Sequence, residues 1–207
     1  AAAQAARISS LPVDALVIYD LQDESSRTGA ERPFPFLQAV DPFDYAYKYL
    51  GSLTLPKIVY RSVSGLSEPG LIDWLNRLHG HRGAAVLVGA PSRSQPVKLH
   101  LADAYRVRNT SVPELPLGGV AIAERHEARG SEDERILDKL DHGCSFFITQ
   151  AVYSVTATRN LLSDLYYRCA DSGRQVPPLL VTLTPCGSKR TLDFLAWLGV
   201  SIPPWLQ

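Results

Sequence analysis

Six short apolar runs, each of strand length and separated by stretches with helical spacing, constrain this chain more than any other feature. They are DALVIYD (14–20), LPKIVYRSV (55–63), AAVLVGAP (84–91), GGVAIAE (118–124), FFITQAVY (146–153) and VPPLLVTLTP (176–185). Continuous apolar runs of this length suit strands buried on both faces, which is the habit of parallel sheets. The intervening segments carry helix signals. In SEPGLIDWLNRLHG, Ser67 and Pro69 open a helix, Leu71, Leu75 and Leu78 share one face, and Gly80 closes it. Helices are also expected over 41–49, 98–107, 131–143, 156–172 and 189–198. Strands joined through helices pair in parallel with right-handed crossovers, and the even cadence favours a barrel over an open sheet. The expected fold is therefore an α/β (β/α)8 TIM-type barrel. Such a barrel takes ~250 residues, so this chain reads as a partial barrel or as one whose terminal elements lie outside these 207 residues.

Composition narrows the function classes. A chain of 207 residues with 45% hydrophobic content can bury one large core, so a single α/β barrel domain over 1–207 is expected. Basic and acidic residues balance at 21 each without a basic block, which argues against a nucleic-acid partner. Cys144, Cys169 and Cys186 are widely spaced and form no CxxC pattern, as fits a reducing compartment better than a disulfide framework or a zinc site. No apolar run approaches the ~20 residues that span a bilayer, and the start AAAQAAR lacks the regions of a signal peptide. A soluble, cytoplasmic protein without a membrane partner is expected, with self-association left open. Asp20, Asp23 and Glu24 match no calcium motif, and no metal is expected.

Familiar catalytic signatures are missing. VGAPSRSQ (88–95) is neither GxGxxG nor GxxxxGK[ST], and neither a GxSxG elbow nor an HExxH pair occurs. Chemistry would have to come from strand ends, which in a parallel barrel converge on one face: Tyr19 and Asp20, Arg61, Gly89 and Ala90, Glu124 and His126, Gln150, and Thr184. These residues could bind, through the His126 ring, the Lys139 ammonium and the paired donor and acceptor of the Gln150 amide, but they hold no obvious nucleophile. A structural reading stands beside this one: Glu124, Arg125 and Glu127 as a solvated loop, Lys139 as a surface helix residue, and His126 as a local cap. Trp74, Trp197 and Trp205 are expected to pack helices against the barrel, His79 and His81 to be exposed turn residues, and Arg61 is equally open to a functional or a structural role.

The stretch VAIAERHEA (120–128), followed by a charged helix, the D-x-G of 141–143 and FFITQAVY, resembles the methylenetetrahydrofolate reductase family, as does the ending VSIPPWL. The resemblance implies reduction of 5,10-methylenetetrahydrofolate to 5-methyltetrahydrofolate with NADH or NADPH through FAD, within one-carbon metabolism and methionine biosynthesis. It implies cofactor contacts at Tyr19, Gly89, His126, Ala128 and Lys139, and folate contacts at Gln150 and Tyr153. The chain departs from the family at Ala90, where an aspartate is usual, at Ile122 for a flavin-stacking tyrosine, at Ser188 for an aromatic, and in lacking a proline between His126 and Glu127. No counterpart of the family's catalytic glutamate is found, so the catalytic residue is unassigned. These departures motivate two alternatives: a flavin-free reductase with direct hydride transfer, and a non-catalytic folate-binding barrel.

Overall fold

The computed structural model describes residues 2–24, 30–90 and 95–206. Part of the loop 21–36 and the tail of the third expected strand with the loop after it, 91–94, lie outside the described residues. The chain forms two compact units, Ala1–Arg27 with Leu37–Leu117, and Thr28–Phe36 with Gly118–Gln207.

The first unit contains helix α1 (Ala2–Ser9), strand β1 (Leu16–Ile18), the short helix α2 (Pro42–Asp44) running into a π turn (Tyr45–Tyr49), strand β2 (Lys57–Ser62), helix α3 (Glu68–Gly80), strand β3 (Ala84–Val88) and helix α4 (Leu101–Ser111). β1 runs parallel to β2, with Leu16 opposite Lys57, and β2 runs parallel to β3, with Ile58 opposite Ala84. Helix α3 forms as its sequence dictates. The Ser67 hydroxyl accepts from the Gly70 N–H at 3.3 Å, and Leu71, Trp74, Leu75 and Leu78 recur at three- and four-residue spacing on the buried side. Each leucine so buried contributes about 1.5–3 kcal/mol. Helix α1 was not among the expected elements. Its Ala5 joins Leu50 and Leu53 in a small core flanked by Ile8, Leu16, Ile18 and Tyr45.

The second unit contains most of strand β4 (Leu117–Ala121), helices α5 (Ala123–Arg129) and α6 (Glu132–Asp141), strand β5 (Phe146–Ala151), helix α7 (Val155–Asp171), strand β6 (Leu179–Thr182) and helix α8 (Lys189–Trp197). β4 and β5 are parallel, with Gly118 opposite Phe146 and Ala121 opposite Thr149, and β5 is parallel to β6. The β5–β6 register shifts between Ile148 and Ala151, where Thr149 takes over part of the ladder. Its hydroxyl accepts from the Thr182 N–H at 2.9 Å, while the Thr182 hydroxyl donates to its carbonyl at 2.7 Å.

Three expectations change. Six strands occur among the described residues, so the fold is a parallel α/β fold short of the eight-strand closed barrel; 207 residues supply six strand-helix units where eight need ~250. The fourth strand stops at Ala121, and the polar segment after it is helix α5, ended by Gly130 in the left-handed conformation at φ 64°. β6 was expected to be buried, yet Leu180 and Val181 are 41% and 47% exposed. Apolar composition reports what a strand could bury, whereas burial depends on what packs there. Among the described residues no helix is long and apolar enough to cross a membrane.

The two glycines of β4 are required by close packing. A Cβ on Gly118 would stand 2.4 Å from the Phe146 ring, and one on Gly119 would stand 2.6 Å from the Phe147 ring and 3.2 Å from the Lys139 stem. Gly119→Ala should therefore destabilise the fold by about 1–3 kcal/mol through overpacking. The urea midpoint reads this out, and an unchanged midpoint would mean that the Phe147 ring moves aside at no cost.

Candidate functional site

The polar cluster singled out in the sequence is built into a seam between helices. His126 is buried on α5, with Nε2 2.8 Å from Asp164 Oδ2 on α7 and Nδ1 3.5 Å from Asp133 Oδ1 on α6. Asp133 Oδ2 receives the Arg168 Nε at 2.5 Å. Lys139 is also buried, and its ammonium donates to the Val120 carbonyl at 2.5 Å, tying α6 to β4. Ala128 is exposed on α5. Beneath these sits Glu132, fully buried, whose Oε1 accepts from the Ile122 N–H at 3.1 Å just where β4 ends; the Arg125 and Arg135 guanidinium groups lie 3.8 and 3.4 Å from its carboxylate. Glu132 went unremarked in the sequence because it stands among four charged residues at a helix start, a pattern that usually faces water.

The first-unit candidates lie at the C-terminal ends of β1, β2 and β3. Tyr19 is exposed and packs its ring 4.6 Å from that of Tyr60. Burial first, and Tyr19 second, push the Tyr60 phenol far above its usual range. Asp20 Oδ2 accepts from the Ser62 N–H at 2.8 Å, and Arg61 is paired with Asp41 at 2.7 Å. Gly89 is half-buried, with room for a side chain beside Leu101. Among the described residues no group of three or more His, Cys, Asp or Glu is placed to hold a metal.

In the second unit, Gln150 stands at the C-terminal end of β5. Its Nε2 is 3.4 Å from the Leu198 carbonyl, a long and weak bond, and its Oε1 makes no hydrogen bond among the described residues. Tyr153 donates to the Thr184 carbonyl at 2.9 Å, and the Glu124 carboxylate accepts from the Ser201 N–H at 3.2 Å. One residue before Leu198 is Trp197, whose indole donates to the Ala30 carbonyl at 3.1 Å and so fastens the segment 30–36 over α8. Phe34 packs on Phe194 at 4.6 Å. Between these rings lies the Arg32 guanidinium, 5.2 to 5.6 Å from the centroids of Phe34, Phe36, Phe194 and Trp197. Contacts of this kind contribute about 0.5–1 kcal/mol each. Its Nε and Nη1 are nevertheless buried without an acceptor, a deficit of about 1–3 kcal/mol per donor. The sequence signal for this cluster is the ERPFPF run (31–36), an arginine followed by alternating prolines and phenylalanines with neither helix nor strand period. Trp197 is buried and walls this cluster, whereas Trp205, expected to pack, is 81% exposed. Ser188 caps α8 by accepting from the Thr191 N–H, and His81, expected only as a turn residue, stacks on Tyr47 at 4.2 Å.

Lys139 makes the helix seam sensitive to pH. Burial holds its ammonium below the usual 10.5, outweighing the Glu132 carboxylate, which acts in the opposite sense. Between the lowered value and 10.5 the unfolded chain binds a proton that the folded chain has released, so stability rises with pH through that window. Lys139→Met should reduce that rise and, by removing the bond to the Val120 carbonyl, cost about 1–2 kcal/mol near neutrality. Urea denaturation from neutral pH to 10.5 tests this, and a variant that keeps the full slope would assign it to another group.

No family model matches the sequence, and no curated protein matches it. Among solved structures, an uncharacterized protein from Clostridium thermocellum that binds two copies of 5-methyl-5,6,7,8-tetrahydrofolic acid is similar, with a TM-score of 0.84 and 43% identity, over 99% of this chain and 65% of its own. The chain thus spans just under two thirds of that protein's length. A second, 2,3-dimethylmalate lyase of the PEP mutase/isocitrate lyase superfamily, matches at a TM-score of 0.53 and 14% identity, over 96% of this chain and 70% of its own, and shows a TIM-like fold alone. These findings overturn the placement in the methylenetetrahydrofolate reductase family, and with it the reductase activity. The resemblance rested on a local pattern of strand, Glu-x-His-Glu, charged helix, and strand ending in Thr-Gln. Here a buried ion-paired helix seam accounts for the first part of that pattern. The chain is similar to a folate-binding protein without an assigned activity, and its fold is TIM-like.

Proposed function

We propose that this chain binds a reduced folate and acts as a binding protein. The observation that carries this reading is the 43% identity, over 99% of the chain, to a protein that binds 5-methyl-5,6,7,8-tetrahydrofolic acid. The geometry supports it at Gln150. A side-chain amide at a strand's C-terminal end, weakly held on one side and open on the other, can donate and accept along the polar edge of a pterin ring. Tyr153, two residues past β5 and fixed by its bond to the Thr184 carbonyl, would border the same ligand. The two ionisable groups once expected at a cofactor, His126 and Lys139, are engaged by Asp164 and by the Val120 carbonyl. The reading therefore gives them a structural task and asks for neither FAD nor a nicotinamide nucleotide.

Isothermal titration of 5-methyltetrahydrofolate into the purified protein tests the reading. Saturable binding is expected, with the ligand recovered chemically unchanged by chromatography. Gln150→Ala should weaken binding about tenfold, the worth of one or two hydrogen bonds, and leave the melting temperature in place. Wild-type protein that fails to saturate would end the proposal, and an unaffected Gln150→Ala variant would remove Gln150 from the site.

A further inference from the structure

We infer that Arg32, set among Phe34, Phe36, Phe194 and Trp197, is an anion-accepting subsite that takes a carboxylate carried by a flat aromatic ligand, and that in a reduced folate this is the glutamate end. The identity of the ligand rests on the folate reading; the carboxylate subsite rests on the cluster itself.

A guanidinium is always charged in a protein and offers its donors in a rigid planar fork. Here the rings supply attraction to its faces but no lone pairs for its N–H groups. Arg32 makes no hydrogen bond and no ion pair among the described residues, and Nε and Nη1 are closed off from solvent. The residue as a whole is only half-buried, which leaves Nη2 as the nitrogen that solvent reaches. A second guanidinium, Arg190 at the start of α8, lies 5.2 Å from the same Phe34 ring, so two positive groups flank one aromatic. Lys189 beside it is paired with Asp193 at 2.8 Å.

What fits such a place is an acceptor with negative charge and planar oxygens, attached to a body that packs on aromatic faces. The rings exclude water and lower the local dielectric, which strengthens the pairing. The p-aminobenzoylglutamate half of a folate has that chemistry, an aryl ring followed by two carboxylates. The position suits it as well. Leu198, whose carbonyl meets the Gln150 amide, follows Trp197 directly, so the last turn of α8 joins the pterin-reading amide to the Arg32 cluster.

The test compares three probes on wild type, Arg32→Gln and Arg190→Gln: 5-methyltetrahydrofolate, a 5-methyltetrahydropterin lacking the p-aminobenzoylglutamate tail, and p-aminobenzoyl-L-glutamate alone. Arg32→Gln should weaken both tailed probes about 10- to 100-fold, the worth of a charge-assisted bond, and leave the tail-less pterin unchanged. Arg190→Gln, on an exposed residue, should weaken the tailed probes severalfold without loss of melting temperature, which keeps the proposal testable if Arg32→Gln unfolds. Equal weakening of tailed and tail-less probes, or no weakening of either tailed probe, overturns the subsite and makes the cluster a structural clasp. Arg32-dependent binding of p-aminobenzoylglutamate without binding of 5-methyltetrahydrofolate would keep the subsite and reject the folate reading. The converse, 5-methyltetrahydrofolate bound equally by all three proteins, would keep the folate reading and reject the subsite.

Discussion

A carboxylate buried beyond the reach of solvent organises the second unit. Glu132 stands at the first turn of α6 and accepts from the Ile122 N–H at the point where β4 stops pairing and α5 begins. Taking a charge out of water is costly unless it is met by opposite charge and hydrogen bonds. The Arg125 and Arg135 guanidinium groups and the Ile122 amide meet it. Those contacts join the end of β4, the first turn of α5 and the start of α6 at one buried carboxylate. The neighbouring pairs follow the same layout: Lys139 on the Val120 carbonyl, Asp133 with Arg168, and His126 with Asp164. Together they lock α5, α6 and α7 into one polar seam.

This seam separates two kinds of polar residue that look alike in one dimension. His126 on α5 and Glu132, Asp133 and Lys139 on α6 face protein partners across the seam, although His126 Nδ1, Glu132 Oε2 and Asp133 Oδ1 make no hydrogen bond. Gln150, by contrast, lies at a strand end with an acceptor unused, and Arg32 has donors unused. Buried polar groups that face a partner of opposite charge hold the structure together, while a group that solvent reaches with a donor or acceptor to spare is where a ligand gains most by arriving. The folate reading follows that division and needs no redox chemistry from the seam.

Much of the fold was legible because it is written in period and punctuation. Each of the six described strands overlaps one of the apolar runs, and α3 begins after Ser67 as its cap dictates and ends at Gly80, although the positive φ after it falls on Arg82 and not on the glycine. Three features were not legible. The Ala-rich α1 has little apolar mass, and its place comes from Ala5 fitting between Leu50 and Leu53. α5 reads as a strand end because Ile122 and Ala123 continue the apolar run, whereas the Ile122 N–H is taken by the buried Glu132 carboxylate, a partner ten residues on. The Arg32 cluster joins residues more than 150 positions apart, Phe34 with Phe194 and Ala30 with Trp197, which no local pattern encodes.

The sequence by itself determined the parallel α/β class, the strand-helix cadence and the presence of an unusual amide at Gln150, because those depend on short-range periodicity and on residue type at a strand end. The tertiary structure alone decided which polar residues face one another. It assigned His126 and Lys139 to the helix seam and brought Arg32 among four rings, because the cost of an unmet charge or donor is set by long-range burial and partners rather than by neighbours along the chain.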